Sequence, residues 1–156
     1  MSLVVPLAPP ASGLEGVRVE RVGIERYAEV QALNRLIFGD DRVLFRLDRD
    51  DLVFLLAMDG ETPVAFKAGY AESATTFYSA KGGVLQEHRR RGIARLLLDR
   101  LVDEARAMGY RRFAYDTFPN KHPGMTVMGL AEGFRVTAAG YNAAYRDYRL
   151  RFERRL

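Results

Sequence analysis

The chain has 156 residues, of which 48% are hydrophobic and none is cysteine, and its formal net charge is +4. The length predicts a single domain, and the hydrophobic content excludes a disordered chain. The absence of cysteine excludes disulfides, thiolate metal sites and a cysteine nucleophile, and it favours a cytoplasmic location.

The first part of the chain predicts a tail, a strand and a helix. Residues 1–16 hold three prolines among small residues, without the basic and apolar regions of a signal peptide. They predict a flexible tail ahead of one domain spanning 17–156. Apolar and charged residues alternate over 17–22, which predicts a strand, and apolar residues three and four positions apart over 25–38 predict an amphipathic helix.

Charge is distributed unevenly along the chain. Residues 39–51 contain five carboxylates and are interpreted as a second short helix, a solvated connection, or part of the entrance for a cationic substrate. The chain as a whole is basic, with a pI of about 9.6, and nearly all of its basic residues are arginine. This balance suits either a polyanionic ligand or a solvated arginine-rich surface.

The central part of the sequence predicts three strands in succession. The apolar run 52–58, the turn signal Asp59-Gly60 and the segment 62–71 predict a β-hairpin. A third strand follows over 76–85. The pair Gly82-Gly83 within it predicts either a bulge or a place where another backbone approaches closely.

The turn between this third strand and the next helix is rich in arginine. From Ile93 the apolar residues recur with the period of an amphipathic helix that ends at Gly109. No capping Ser, Thr, Asp or Asn precedes it, and the residues ahead of it are His88, Arg89, Arg90, Arg91 and Gly92. Cations are unfavourable at a helix N-terminus, whereas an anion is stabilised there by unpaired N–H groups. The sequence therefore predicts a phosphate or pyrophosphate site, with a solvated basic turn as the alternative.

The last part of the chain predicts three strands and one short helix. Turn formers separate the strand from the helix, and Gly133 closes the helix. A loop around Gly140-Tyr141-Asn142 is expected between the last two strands. The predicted segments are a strand over 111–118, a loop over 119–124, a helix over 125–132, and strands over 134–139 and 145–152.

The pattern Arg89-x-x-Gly92-x-Ala94, between a strand and a helix, resembles the signature of the GNAT superfamily of acyl-CoA-dependent N-acyltransferases. Asn120, the helix from Met125 and the pair Gly133-Phe134 resemble the second motif of that family. The predicted element order also fits the family's fold over residues 17–152. The resemblance implies an α/β (α+β) GNAT fold, with a mixed, mostly antiparallel sheet of about six to seven strands, about four flanking helices, and splayed strands 4 and 5.

The resemblance also implies a co-substrate and the residues that hold it. Acetyl-CoA is expected, with its pyrophosphate on the loop amides and its pantetheine arm paired with the third of the central strands; no metal is expected. The amide of Leu85 or Val84 is implied as the donor to the thioester carbonyl. The expected binding residues are Val84, Leu85, Gln86, Arg89, Arg90, Arg91, Gly92, Ile93, Ala94, Arg95 and Asn120.

The implied reaction is direct transfer of the acetyl group to a primary amine of a small molecule or peptide. Many family members carry a tyrosine as the general acid where this chain has Gly129. Tyr141 is the candidate substitute, and Tyr115, Tyr145 or water are alternatives. Glu72 and Asp116 are the candidate bases, because each lies beside or within a predicted strand near the site.

Two other functions are compatible with the same sequence. The missing tyrosine favours a non-catalytic acyl-CoA-binding module. The arginines favour a nucleic-acid-binding protein. Neither nucleic acid nor a membrane is the expected partner. A homodimer is also expected as one possibility. The C-terminal strand would pair with a second subunit, whereas Arg149 and Arg151 on it are typical of an edge strand protected from pairing.

Overall fold

A computed structural model describes residues 13–156, so most of the predicted tail lies outside the described residues. Residues 13–16, the described end of that segment, form a turn. Two short 3₁₀ turns lie at Ile24–Arg26 and Gln86–His88. The regular elements of residues 13–156 are β1 (Val17–Val22), α1 (Tyr27–Phe38), β2 (Val53–Asp59), β3 (Thr62–Ala71), β4 (Thr76–Val84), α2 (Ile93–Ala107), β5 (Arg112–Thr117), α3 (Pro123–Ala131), β6 (Arg135–Asn142) and β7 (Asp147–Arg155).

The strands form one seven-stranded sheet in the order β1-β2-β3-β4-β5-β7-β6. Neighbouring strands are antiparallel except β4 and β5, which run parallel. The predicted mixed and mostly antiparallel sheet is therefore confirmed. The hairpin predicted from Asp59-Gly60 is confirmed too, since β2 and β3 pair on either side of that turn.

Residues 39–51 form no helix, so the short helix considered for this segment is wrong; the α-helices of residues 13–156 are α1, α2 and α3, one fewer than the approximate number expected. The buried apolar residues of this segment, Val43 and Leu44, are adjacent and so cannot form one helix face. Four of its five carboxylates pair with cations of the protein, which leaves little free negative charge for a cationic substrate. The pairs are Asp40 with Lys81, Asp41 with Arg35, Asp48 with Arg46, and Asp51 with Arg49.

Strands β4 and β5 splay apart, as predicted. Their pairing runs only from Thr76 to Ser79 on β4, and β4 continues for five residues beyond it. The register of β4 on β3 jumps from Ser79 to Lys81, so the bulge lies at Ala80 and not at Gly82-Gly83. A wedge-shaped gap therefore opens between the two strands from Ser79 onwards, and we call it the β4–β5 gap.

Each face of the sheet buries its own core. Helix α1 covers one face, with Phe54, Phe66 and Leu33 in its core, and α2 covers the other. A Cβ on Gly83 would lie 2.9 Å from Ile37 Cγ2, so the glycine allows α1 to pack closely on β4. No helix within residues 13–156 is long and apolar enough to cross a membrane.

The last two strands form a hairpin whose turn differs from the prediction. The prediction of a loop around Gly140-Tyr141-Asn142 is wrong. Strand β6 continues through Asn142, and the turn comprises residues 143–146. The Tyr145 N–H donates to Asn142 Oδ1 at 3.2 Å and fixes that turn. Strand β7 lies between β5 and β6, so the C-terminal strand is already paired on both sides. The strand edge open to a second subunit on this side is β6 instead.

Candidate active site

The turn between β4 and α2 presents unpaired backbone N–H groups. Arg90 and Gly92 have positive φ angles of 62° and 88°, which turn the chain sharply into the helix. No side chain caps α2, and its first hydrogen bond runs from Leu96 N–H to Gly92 O at 3.0 Å. The N–H groups of Ile93, Ala94 and Arg95 meet no acceptor within residues 13–156. With the helix dipole they form an anion-binding cradle, which we call the α2 cradle.

Two of the predicted arginines remain available at this cradle. Arg89 and Arg90 are exposed, and Arg89 Nε also donates to Val84 O at 3.1 Å. Arg95 keeps its N–H in the cradle while its guanidinium pairs with Glu132 at 2.6 Å. The exposed basic cluster that favoured nucleic acid is therefore smaller than the sequence indicates.

The side chain of Arg91 does not reach the cradle, which corrects the prediction for it. Its guanidinium is only 8% exposed and donates to Asp59 Oδ2 at 2.8 Å. It also donates to the backbone oxygen of Gly13 at 2.9 Å and contacts the ring of His88. Arg91 therefore fastens the turn to the β2–β3 hairpin and to the N-terminal turn.

The backbone of β4 supplies polar groups to the β4–β5 gap. Of the two amides expected as oxyanion donor, Leu85 and Val84, the Leu85 N–H donates to Val64 O of β3 at 2.9 Å and is therefore engaged in the sheet. Because hydrogen-bonding directions alternate along an antiparallel strand, Gly82 and Val84 direct their N–H and C=O groups away from β3, into the gap. Gln86 follows as the exposed first residue of the 3₁₀ turn. Gly82 is not among the expected binding residues, although the pair Gly82-Gly83 was interpreted as a bulge or a place where another backbone approaches closely.

A carboxylate lies next to the narrow end of the gap on the α1 face. Asp116 comes directly after Tyr115, the last residue of β5 that pairs with β4. Tyr78 donates its hydroxyl hydrogen to Asp116 Oδ2 at 2.6 Å, and Arg149 lies 3.5 Å from the same oxygen. Burial, and then this hydrogen bond, raise the pKa of Tyr78. The other oxygen, Oδ1, is buried and has no hydrogen-bond partner within residues 13–156.

The two other candidate catalytic residues surround the same carboxylate. Glu72 forms a bidentate ion pair with Arg151, which in turn lies 3.9 Å from Asp116. Glu72 is thus neutralised by an arginine, whereas Asp116 retains an unpaired oxygen. Tyr141 is 60% exposed on β6, with its ring 5.4 Å from that of Tyr148. It borders a cleft of about 350 Å³ between β5, β6 and β7, which Asp116 also lines; we call it the β5–β6 cleft.

Tyr115, one of the alternatives for the missing general acid, is a buried residue. Tyr115 donates its hydroxyl hydrogen to Met125 O at 2.8 Å, and its ring stacks on Phe152 with 5.1 Å between centroids. Burial raises the pKa of Tyr115 to about 12. A Cβ on Gly129 would collide with the Tyr115 hydroxyl oxygen. Tyr115 therefore fills the space of a side chain at 129 and is not accessible as an acid.

Replacing Gly129 by Ala is expected to destabilise the protein by about 1–3 kcal/mol, because the new methyl group forces the Tyr115 ring out of its stack. Removing the hydroxyl with Tyr115→Phe should relieve part of that cost. The measurement is urea unfolding of the two single variants and the double variant as a cycle. Purely additive effects would contradict the proposed collision.

Asn120 is held by the hairpin turn between β6 and β7. Its amide donates to Asp147 Oδ1 at 2.9 Å, while the adjacent Lys121 donates to Tyr145 O at 3.2 Å. Tyr145 also packs its ring 5.0 Å from that of Phe118. These contacts tie the β5–α3 loop to the hairpin turn, and no described contact joins Asn120 to the α2 cradle.

Sequence reasoning missed Lys67, a charged residue inside a buried strand. Lys67 is 6% exposed, and its ammonium has no hydrogen-bond or ion-pair partner among the side chains and backbone of residues 13–156. Burial alone lowers its pKa to about 8. The available signal was a single lysine in the otherwise apolar run of β3. Within residues 13–156, no three His, Asp or Glu side chains come together as a potential metal site.

Replacing Lys67 by Met is expected to raise the free energy of unfolding at pH 7 by about 2–3 kcal/mol. Lys67 has a pKa of about 8 in the folded protein and 10.5 ordinarily, so between these two pH values the unfolded chain binds more protons than the folded protein. As the pH rises through that range, the free energy of unfolding of the wild-type protein should therefore rise relative to that of the variant. Urea unfolding at pH 7 and pH 10 measures both effects, and a difference that does not depend on pH would contradict them.

Comparisons with known proteins agree with this geometry. The acetyltransferase (GNAT) family model matches residues 19–125. The fold is similar to the ribosomal-protein-S18-alanine N-acetyltransferase from Escherichia coli, with a TM-score of 0.76 and 10% identity over 89% of this chain and 93% of that chain. It is also similar to the IAA acetyltransferase from Bacillus cereus, with a TM-score of 0.78 and 17% identity over 90% and 99% of the two chains.

A third similar structure contains the expected co-substrate. It is a GNAT family acetyltransferase from Elizabethkingia anophelis with acetyl-CoA bound, with a TM-score of 0.75 and 15% identity over 91% of this chain and 99% of that one. No curated protein sequence matches this chain significantly. At these identities the structural likenesses establish the fold.

Proposed function

Since this chain belongs to the GNAT acetyltransferase family, we propose that it is an N-acetyltransferase that transfers an acetyl group from acetyl-CoA to a primary amine of a small molecule or peptide. The observation that carries this proposal is the α2 cradle at the open end of the β4–β5 gap. A carboxylate with one unpaired oxygen, Asp116, lies at the narrow end of the same gap.

The residues of the cradle and the gap suit the two polar parts of acetyl-CoA. The unpaired N–H groups of residues 93–95 suit its pyrophosphate, and the exposed guanidinium groups of Arg89 and Arg90 add charge-assisted donors. The backbone groups of Gly82 and the N–H of Val84 suit the amides of the pantetheine arm, while Val84 O already accepts a hydrogen bond from Arg89. A Cβ on Gly82 would lie 3.0 Å from Phe66 O, so a side chain there would crowd the strand pair beside the gap.

The residues around Asp116 suit an amine that enters from the β5–β6 cleft. Oδ1 of Asp116 accepts a proton from the incoming ammonium, while Tyr78 and Arg149 hold Oδ2. The neutral amine then attacks the thioester carbonyl. This direct transfer requires the amine and the thioester to be held together, which the cleft and the gap achieve from two sides.

A non-catalytic acyl-CoA-binding module is the second candidate. It is favoured by Gly129 at the position of the expected acid and by the burial of Tyr115. Both candidates require the α2 cradle, and they differ only in turnover.

Calorimetric titration with acetyl-CoA, followed by thiol-release assays, tests the proposal. The assays use a panel of amines: a polyamine, free amino acids, and peptides with a free N-terminus. Stoichiometric binding with amine-dependent thiol release would support the enzyme. Binding without release for any amine would favour the non-catalytic module, and absence of binding would overturn both.

A further inference from the structure

Lys67 lies beside the β4–β5 gap. On β3 it pairs with Gly82 of β4, and its Cγ would be 3.2 Å from a Cβ on that glycine. The stem of Lys67 therefore packs over Gly82, which offers no side chain on this face of β4. Gly82 is three residues beyond Ser79, where the strands separate, so Lys67 is level with the open part of the gap.

The stem of Lys67 has a mainly apolar surrounding, and its ammonium has no hydrogen-bond or ion-pair partner within residues 13–156. The apolar side chains that share its face of the sheet include Leu55, Val84 and Leu97. Burial accounts for the whole of its lowered pKa, with no contribution from a charged neighbour within residues 13–156. Lysines ordinarily bury their stems and extend their heads to water. Lys67 does the same: its stem is buried, whereas Nζ is not among the fully enclosed side-chain atoms without a partner in residues 13–156. A ligand in the gap would replace that water and supply a partner.

Lys67 and Asp116 lie on opposite faces of the sheet. The neighbours of Lys67 in β3, Phe66 and Ala68, point to the α1 side, so Lys67 points to the α2 side. Tyr115 points to the α2 side, so Asp116 points to the α1 side. A reaction centre in the gap is thus approached by a carboxylate from one face and by an ammonium from the other, and the sheet prevents the two from pairing.

We propose that the Lys67 ammonium is the acid that protonates the leaving thiolate, an inference that rests on the proposed acetyl transfer. As the bond from the amine nitrogen to the carbonyl carbon forms, the carbon–sulfur bond breaks and its electron pair stays on sulfur. Sulfur takes a proton from Lys67 Nζ. Asp116 passes the proton of the incoming ammonium to water and then takes the surplus proton of the attacking nitrogen. The products are the amide and free CoA thiol; Asp116 releases its second proton to the solvent and Lys67 regains one from it, so that one proton is released in total.

The pKa of about 8 for Lys67 is compatible with this role. An ordinary thiol has a pKa of about 8.5, so a proton transfer from such an ammonium to a thiolate is nearly balanced in energy. Lys67 would thus take over the role that Gly129 leaves open. Its position in a buried strand explains why the tyrosine pattern of the family does not indicate it.

The test measures the pKa of the CoA thiol bound to the protein, from the ultraviolet absorbance of the thiolate. In the wild-type protein a nearby ammonium should lower that pKa by about one unit or more relative to free CoA. In Lys67→Met the pKa of the bound thiol should equal or exceed that of the thiol of free CoA. Lys81→Met, which removes a lysine of β4 on the α1 side, is the matched control and should behave like the wild-type protein.

The outcomes separate the inference from the proposed function. If the wild-type protein binds CoA and its bound thiol titrates like free CoA, the inference is overturned while the proposed function stands. If the wild-type protein does not bind CoA, both fall. The first comparison needs no variant, so it holds even if Lys67→Met folds poorly. With an active amine, Lys67→Met should also lower kcat about 10²-fold with little change in KM for acetyl-CoA.

Discussion

Replacing Gly92 by Asp is expected to weaken acetyl-CoA binding at least about 100-fold, or by about 2.7 kcal/mol. The new carboxylate would stand at the N-terminus of α2, where it competes with the pyrophosphate for the unpaired N–H groups. The protein should remain folded, because Asp adopts positive φ more readily than most residues and a Cβ at this position meets nothing closer than Leu14 at 3.8 Å.

Gly92→Asn is the matched control, since Asn has nearly the same shape and backbone preference but no charge. Calorimetric titration of the three proteins with acetyl-CoA gives the comparison, and urea unfolding checks their stability. We expect Asn to weaken binding much less than Asp. Equal losses would assign the effect to backbone strain, and unchanged binding in both would remove the α2 cradle as the pyrophosphate site.

Replacing Asp116 by Asn is expected to lower kcat by about 10²- to 10⁴-fold with the affinity for acetyl-CoA unchanged. The variant loses the carboxylate oxygen, Oδ1, that is proposed to accept the proton of the incoming amine. It can still accept the hydrogen bond of Tyr78, so local packing is kept. The cradle is formed by other elements, and so co-substrate binding should not respond.

Glu153→Gln provides the control for Asp116, because Glu153 also contacts Arg151, at 3.0 Å, without lining the β5–β6 cleft. Thiol-release kinetics with the most active amine of the panel measures both variants. A large loss in Asp116→Asn alone supports a base. Similar losses in the two variants would mean that the arginine network matters for structure, and that Asp116 is not the base.

The strands and the long helix were predictable because their signals are local. The alternation over 17–22 and the helical period from Ile93 coincide with β1 and α2. The strand predicted over 134–139 coincides with most of β6, but the end of β6 at Asn142 was not predicted, since nearly every side chain on the strand is exposed and Gly140 interrupts the pattern. The pairing of β6 with β7 leaves no pattern of apolar residues from which that end could be predicted.

The roles of charged residues depended on contacts distant in sequence. Arg91 belongs to the basic motif by its position in the sequence. Its guanidinium nevertheless donates hydrogen bonds to Asp59, thirty-two residues earlier, and to the backbone of the turn at Gly13. The backbone positions of the α2 cradle were predictable because they follow from the turn and the helix start alone. The pairing of Tyr78 with Asp116 was not, since it depends on the parallel register of β4 and β5.

The insertion of β7 between β5 and β6 also has a consequence for the order of assembly. Strands β1 to β4, and α2 with its cradle, precede β5 in the chain and can pack together as soon as they are synthesised. Asp116 depends on Arg149 and Arg151, which belong to β7 and are synthesised later than β6. The proposed pyrophosphate site can therefore form early in synthesis, whereas the surroundings of the proposed base are complete only after β7 has been made.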